Sequence, residues 1–245
     1  MAKRDPVAGF MFDALAILLF LLAIGVLLVG CPHAHGEDWM PLTPAIVRVT
    51  AGDQGGTGTL IAIDDAGNGY VLTARHVTLP YRTATATFRN GYSASGPVIG
   101  TGEAYDTSVF RIQAPANVQP IPVAETAPEA SERVDVFGYG GQSGPVSEIR
   151  LIHWSSPVRG YASHRPHNML LDPICESGDS GGPVIYQGHV VGVMSHYAGD
   201  GYGRRTHAGV PPCTPIRNLL RAIAPHVVVQ GADAMRAQRY LPGGS

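Results

Sequence analysis

The chain has 245 residues, a net charge of -2 and only 15% charged residues. That length supports one large domain or two small ones with real cores, and the charge balance excludes a nucleic-acid-binding role. With 31 Gly and 20 Pro, the composition predicts many short strands joined by tight turns.

The first thirty residues stand apart. A basic segment, residues 1–13, carries Lys3 and Arg4, and residues 14–30 run apolar without a charge. As a helix that run would be about 25 Å long against a bilayer core of about 30 Å. The upstream basic residues favour an N-terminus on the inside and export of the remainder. Three schemes fit. The apolar helix is kept as a membrane anchor; or "LVGC", ending at Cys31, serves as a lipidation box; or "AHG", residues 34–36, is a signal-cleavage site that releases the protein. The expected location is therefore the cell envelope, or the periplasm or medium after cleavage. With Cys31 lipidated or removed, Cys175 and Cys213 remain as an even pair, and either a disulfide or two separate buried thiols satisfies the count.

Residues 31–43 are a polar, Pro-bearing tether. Strand signals begin at residue 45 with "AIVRVT", followed by the loop "GDQGGTG" and the strand "TLIAID". "DAGNG", residues 65–69, predicts a hairpin turn, because Asn and Gly tolerate positive φ. Its return strand, "YVLTA", delivers Arg75 and His76 to the strand's end. "TATATF" and "TSVFRI" read as two further strands. A Pro- and Ala-rich stretch from residue 113 to 131 predicts a crossing between halves. Short strands then resume: "RVDVFGYG", "EIRLIHW", "NMLLD", "PVIY", "HVVGVMS" and "HAGV". "TPIRNLLRAIA", residues 214–224, predicts a closing helix with Thr214 as N-cap and Pro215 at N1. Residues 226–245 form a polar tail. The expected fold is all-β: two antiparallel barrels of six-stranded type, about 44–118 and 131–213, with a crevice between them, the C-terminal helix, and the hydrophobic N-terminal helix.

"CESGDSGGPVIY" begins at Cys175 and sets Ser180 between an aspartate and two glycines ahead of an apolar run. A serine hydroxyl is a weak nucleophile until a base takes its proton and a carboxylate orients that base. Among ten histidines, His33 and His35 lie in the tether, His164 and His167 in a Pro-containing loop, and His226 in the tail. His76 alone stands directly after an apolar strand, where a barrel presents side chains to a crevice. Asp64 and Asp65 are consumed by the hairpin turn. Asp106 opens the strand "TSVFRI" and is the best-placed carboxylate, with Glu103 as a poor substitute. Cys31, His33 and His35 in a flexible tether make a weak metal site, so no metal and no cofactor is expected.

"GTGTLI", "YVLTARHV", "AYDTSVFRI" and "ESGDSGGPV" follow in the order His, Asp, Ser. Together they resemble trypsin/chymotrypsin-like serine peptidases, above all their exported bacterial branch, over about residues 44–224. The resemblance implies an endopeptidase acting on protein or peptide substrates. Ser180 would be the nucleophile, His76 its general base, Asp106 the orienting carboxylate, and the amides of Gly178 and Ser180 the oxyanion hole. It also implies a pocket near Ile174, with Ser195, His196 and Tyr197 along one wall and Gly209 opposite. No acid is placed there for a Lys or Arg side chain, which favours small or medium apolar ones. Arg75 stands where members commonly carry a small residue, and must point away from the crevice or narrow it. Nothing matches the vertebrate activation terminus, so Asp179 needs another partner. The competing reading is a silent protease-fold module that binds peptides or envelope proteins; Arg75 and Tyr197 are its grounds.

Overall fold

The computed structural model describes residues 40–140, 150–163, 167–172, 175–199 and 205–225. The apolar segment 14–30, residues 31–39 of the tether and the tail lie outside the described residues, as do His164 and Ile174; the end of the tether enters a short 3-10 helix, Met40–Ala45. Among the described residues, no helix is long and apolar enough to cross a membrane.

Six strands close into a barrel in the order β1-β2-β3-β6-β5-β4, all pairs antiparallel. They are β1 (Ile46–Ala51), β2 (Gln54–Ile63), β3 (Asn68–Ala74), β4 (Thr83–Thr87), β5 (Ser93–Gly102) and β6 (Thr107–Gln113). Val47, Val49, Leu60, Leu72, Val109 and Phe110 of these strands are buried. The β2–β3 hairpin forms where the sequence places it. Asp64 Oδ1 accepts from the amides of Ala66 and Asn68, and Tyr70 Oη donates to Oδ2. Asp64 is thus committed to the turn and unavailable to the site.

Strand β5 is absent from the sequence reading, because "SASGPVIGTG" looks like a loop. Its pairing is imposed by closure between β4 and β6. Its glycines are what permit that closure: a Cβ on Gly96 would lie 1.6 Å from the carbonyl oxygen of Arg111. β-Propensity describes side-chain fit on a pleated surface, and here the fit that matters is the lack of a side chain.

The crossing segment touches both halves. Ile121 donates its amide to Leu60 O at 2.9 Å, Val190 donates to Pro122 O at 2.9 Å, and Val118, Ile121 and Val123 are buried.

Beyond it, the strands are β7 (Arg133–Gly138), β8 (Ile152–Pro157), β9 (Gly160–Tyr161), β10 (Met169–Leu171), β11 (Pro183–Tyr186), β12 (His189–Val193), β13 (His196–Gly199) and β14 (Arg205–Val210). Among the described residues their pairing falls into two four-stranded sheets, β12-β11-β7-β8 and β13-β14-β10-β9, consistent with the expected second barrel. Both sheets share one core of Val134, Val136, Met169, Leu171, Val184, Val191, Met194 and Val210.

A single helical turn follows the end of β3. That turn is α1 (Arg75–Thr78), and the closing helix is α2 (Cys213–Ile223). Helix α2 starts two residues earlier than the sequence predicts, with Pro212 at the N-cap position, so Pro215 falls third in the first turn. A proline is tolerated there because first-turn amides have no intrahelical acceptor. Ile216 and Leu220, one turn apart, are buried, and Leu219 and Ile223 pack over Gly100 of β5.

A Gly96→Ala variant should lose stability by about 2–4 kcal/mol, the range for a forced backbone clash in a core element. The urea midpoint measures this, and an unchanged midpoint would show that β5 yields without opening the barrel.

Candidate active site

Strands β3 and β6 pair over their full length, and Ala74, the last residue of one, faces Thr107, the first of the other. The residues just beyond this pair are therefore neighbours. Arg75 extends the ladder by donating its amide to Asp106 O at 2.9 Å. The chain then turns into α1, with Thr78 Oγ1 donating to Arg75 O at 3.1 Å and lying 2.9 Å from Ser108 Oγ, whose hydroxyl can donate to it. This lifts the His76 ring over the Asp106 carboxylate.

Asp106 is itself bent, with φ +48° after the short 3-10 turn Glu103–Tyr105. Aspartate is among the few non-glycine residues that tolerate this left-handed region. The bend aims both carboxylate oxygens at the end of β3. Oδ1 accepts the His76 amide at 2.9 Å, and Oδ2 lies 2.7 Å from His76 Nδ1. Ser195 Oγ, just past the end of β12, donates to the same Oδ2 at 2.6 Å. Burial pushes the carboxyl up, but the bonds from His76 and Ser195 and the charge on His76 outweigh it and hold Asp106 below the usual carboxylate range. An ionised Asp106 can only accept, so His76 Nδ1 carries the proton and Nε2 is left as the basic nitrogen.

Ser180 comes from the other half, and Thr57 of β2 holds its loop. Thr57 donates its amide to Ser180 O at 2.8 Å and its hydroxyl to Gly178 O at 2.8 Å. The same hydroxyl accepts the Tyr139 amide at 3.0 Å, and Thr57 O accepts Thr73 Oγ1 at 2.7 Å. The Tyr139 phenol donates to Ile46 O at 3.1 Å, and burial pushes its pKa up to about 12. Glycine follows the serine because of this docking. Gly181 has φ +87°, and a Cβ on it would lie 2.1 Å from both Thr57 O and Thr73 Oγ1.

The partner that Asp179 needs is main chain. It is 2% exposed; Oδ1 accepts the Gly140 amide at 2.8 Å and Oδ2 the Glu176 amide at 2.7 Å. The turn's own backbone bonds use the amides of Asp179, Gly181 and Gly182. Among the described residues, the amides of Gly178 and Ser180 take no part in backbone pairing, and Gly178 has φ +100°.

His76 and Ser180 line one cavity of about 550 Å³, together with Cys175, Glu176, Ser177, Met194, Ser195 and His196. Gly209 stands behind His196 in strand β14, where a Cβ would come within 2.5 Å of His196 Nε2. Tyr197 belongs to β13 by its backbone, and its side chain lies outside the described residues. Arg75 does not line the cavity: its guanidinium turns to Glu103, Nη2 to Oε1 3.5 Å. The disulfide left open by the sequence is not formed. Cys213 is enclosed at the start of α2, where burial pushes its thiol up, and Cys175 packs into the core of the second half. Of the loop histidines, His167 is exposed, its Nδ1 3.0 Å from Ala162 O. Two roles escape the sequence reading. Ser195, read as pocket wall, is a ligand of Asp106. Thr57 was not singled out at all; a lone threonine between glycines in a buried strand end was its only signal.

A family model described as trypsin-like peptidase domain matches residues 56–193, more than half of the chain. The chain belongs to the trypsin-like peptidases. It is 26% identical over 217 residues to a trypsin of Saccharopolyspora erythraea, covering 75% of this chain and 91% of that protein. It is 25% identical over 173 residues to the putative serine protease HhoA of a Synechocystis strain, covering 68% of this chain and 43% of that protein. The chain thus spans less than half the length of that relative. Among solved structures, a serine endoprotease from Yersinia pestis superposes with a TM-score of 0.65 at 18% identity, over 80% of this chain and 68% of that one. An inactive form of Rv3671c from M. tuberculosis H37Rv gives 0.60 at 19%, over 80% and 95%. These likenesses establish the trypsin-like fold.

Two outcomes follow from the geometry. Thr57→Val should destabilise the fold by about 1–3 kcal/mol, because it strands the buried Tyr139 amide and takes the donor from Gly178 O; urea unfolding measures it. Asp106 contributes stability that is present above its unfolded value near 3.8 and is lost as pH falls toward its depressed folded value. Stability measured against pH should therefore fall less steeply below 3.8 in Asp106→Asn than in the wild type.

Proposed function

We propose that this trypsin-like peptidase is an exported serine endopeptidase that hydrolyses peptide bonds through Ser180, His76 and Asp106. The supporting observation is that His76, gripped by Asp106 at 2.7 Å, and Ser180 face one cavity although they come from different halves of the fold. Ser180 Oγ attacks the scissile carbonyl while His76 Nε2 takes its proton. The amides of Gly178 and Ser180 receive the oxyanion, a contribution of about 3–4 kcal/mol per donor in such sites. His76 returns the proton to the leaving amine, and water then cleaves the acyl-enzyme by the same steps in reverse order. Asp106 keeps the imidazole in the Nδ1–H form and stabilises the imidazolium.

The cavity wall contributed by Cys175 and Met194 is apolar, which favours small or medium apolar side chains before the scissile bond. The trypsin-like relatives support a peptide or protein substrate. Arg75, one ground for a silent binding module, is turned away from the site. The basic residues and apolar run at the N-terminus support export, with the protein tethered to the envelope or released. N-terminal sequencing of the mature protein separates the three schemes.

Ser180→Ala should lower turnover on the order of 10⁶-fold and abolish labelling by a fluorophosphonate probe. A peptide-library digest by the wild type and this variant reads activity and preference together. Cleavage by the variant at near wild-type rates would end the proposal.

A further inference from the structure

The cavity contains a second histidine that the triad does not use. His196 is exposed on the cavity wall, directly after Ser195, and its Nδ1 lies 3.1 Å from Ser195 Oγ. The same Oγ lies 2.6 Å from Asp106 Oδ2. Four groups thus form one chain of contacts: His196, Ser195, Asp106 and His76.

The direction of these bonds follows from counting protons. A serine hydroxyl has one hydrogen to donate and lone pairs to accept with. Asp106, held below the usual carboxylate range, has none to offer, so the hydrogen between Ser195 and Asp106 must be the serine's. That hydrogen cannot also lie between Ser195 and His196. The 3.1 Å contact is then a hydrogen bond only if the hydrogen belongs to His196, on Nδ1.

We propose that His196 is a positioning residue that donates Nδ1–H to Ser195 Oγ and thereby sharpens the grip of Ser195 on Asp106. The inference rests on the peptidase reading for its kinetic consequence and on the hydrogen-bond geometry alone for its structural one. Bonds in a row polarise one another. A donor on Ser195 Oγ makes its hydroxyl a stronger donor to Asp106 and draws more charge from the carboxylate. It also fixes the rotamer of Ser195, so Asp106 Oδ2 meets both its donors at once. Without it, more charge stays on Asp106, and the proton stays more firmly on His76 at low pH.

The ionisable groups around this chain of contacts are His76, Cys175 and Glu176 in the cavity and Asp106 beneath it. Arg205 and His207 stand on the neighbouring strand β14, in register with Gly199 and Ala198.

Two measurements on the full chain test the inference. The first is the ¹⁵N NMR spectrum of the histidine side chains at neutral pH, with His196 assigned by its loss in His196→Phe. The expected result is a protonated Nδ1 on His196. A bare Nδ1, with the proton on Nε2 alone, overturns the inference whether or not the protein cuts peptides. The second is the pH profile of kcat/KM for wild type, His196→Phe and His196→Asn. Phe keeps a planar ring without a donor, and Asn keeps a donor close to the Nδ1 position. His196→Phe should lower kcat about five-fold, the loss expected for one hydrogen bond, and move the acid limb to higher pH; His196→Asn should restore both. An acid limb at the same pH in all three, in enzyme that still takes a fluorophosphonate label, overturns the inference and leaves the peptidase reading intact. Wild type that takes no label defeats the peptidase reading instead, and the ¹⁵N result still decides the bond.

Discussion

The contact between Thr57 and the loop of Ser180 is what the rest of the site depends on. A single threonine on β2 gives its amide to Ser180 O and its hydroxyl to Gly178 O, and takes the Tyr139 amide on the same hydroxyl. In the proposed mechanism the first barrel supplies the base and the second half the nucleophile, so their registry must be fixed to within a fraction of an ångström for proton transfer. Hydrogen bonds between buried groups do this better than apolar packing, because they fix direction as well as distance. Gly181 allows the approach: no larger residue fits against Thr57 O and Thr73 Oγ1.

The carboxylates illustrate a second constraint. Asp106 and Asp179 are both drawn into the structure, and each meets its own donors. Asp106 takes two side chains and one amide, all of which aim an imidazole. Asp179 takes the amides of Gly140 and Glu176, which hold the loop around Ser180 in shape. Burying a carboxylate without such donors would push it toward its neutral form and lose the orientation it imposes. The same residue type therefore performs two tasks, one directed at the His76 ring and the other at the backbone beside Ser180.

Much of this was legible in the sequence, for reasons that can be named. Strands β1, β2, β3, β4 and β6 are short runs of apolar and β-branched residues, and the turn at Asp64 has its own side-chain logic. His76 and Asp106 could be paired because each falls just outside a strand, and strands β3 and β6 lie side by side. The residues that escaped are those whose role lies in something far along the chain. Strand β5 has a loop-like composition, and only the two strands beside it make it a strand. Thr57 meets Gly178 across 121 positions. Ser195 meets Asp106 across 89, so a wall residue by position became a ligand of the carboxylate by contact. In the second half the described strands fall into two sheets on one core, and β9, with two residues, is too short for periodicity to read.

Helix α2 has a mechanical effect. It is the last described element, it begins in the second half beside Gly192, and it lays Leu219 and Ile223 on β5 of the first. The crossing segment spans the same divide earlier in the chain, with Ile121 on Leu60 and Pro122 on Val190. The crevice is thus strapped on either side of the second half in sequence order. Opening it like a book would tear apolar contacts at one strap or backbone bonds at the other. On the proposed function, a polypeptide threading this groove would meet a slot of set width and be selected by fit rather than by clamping.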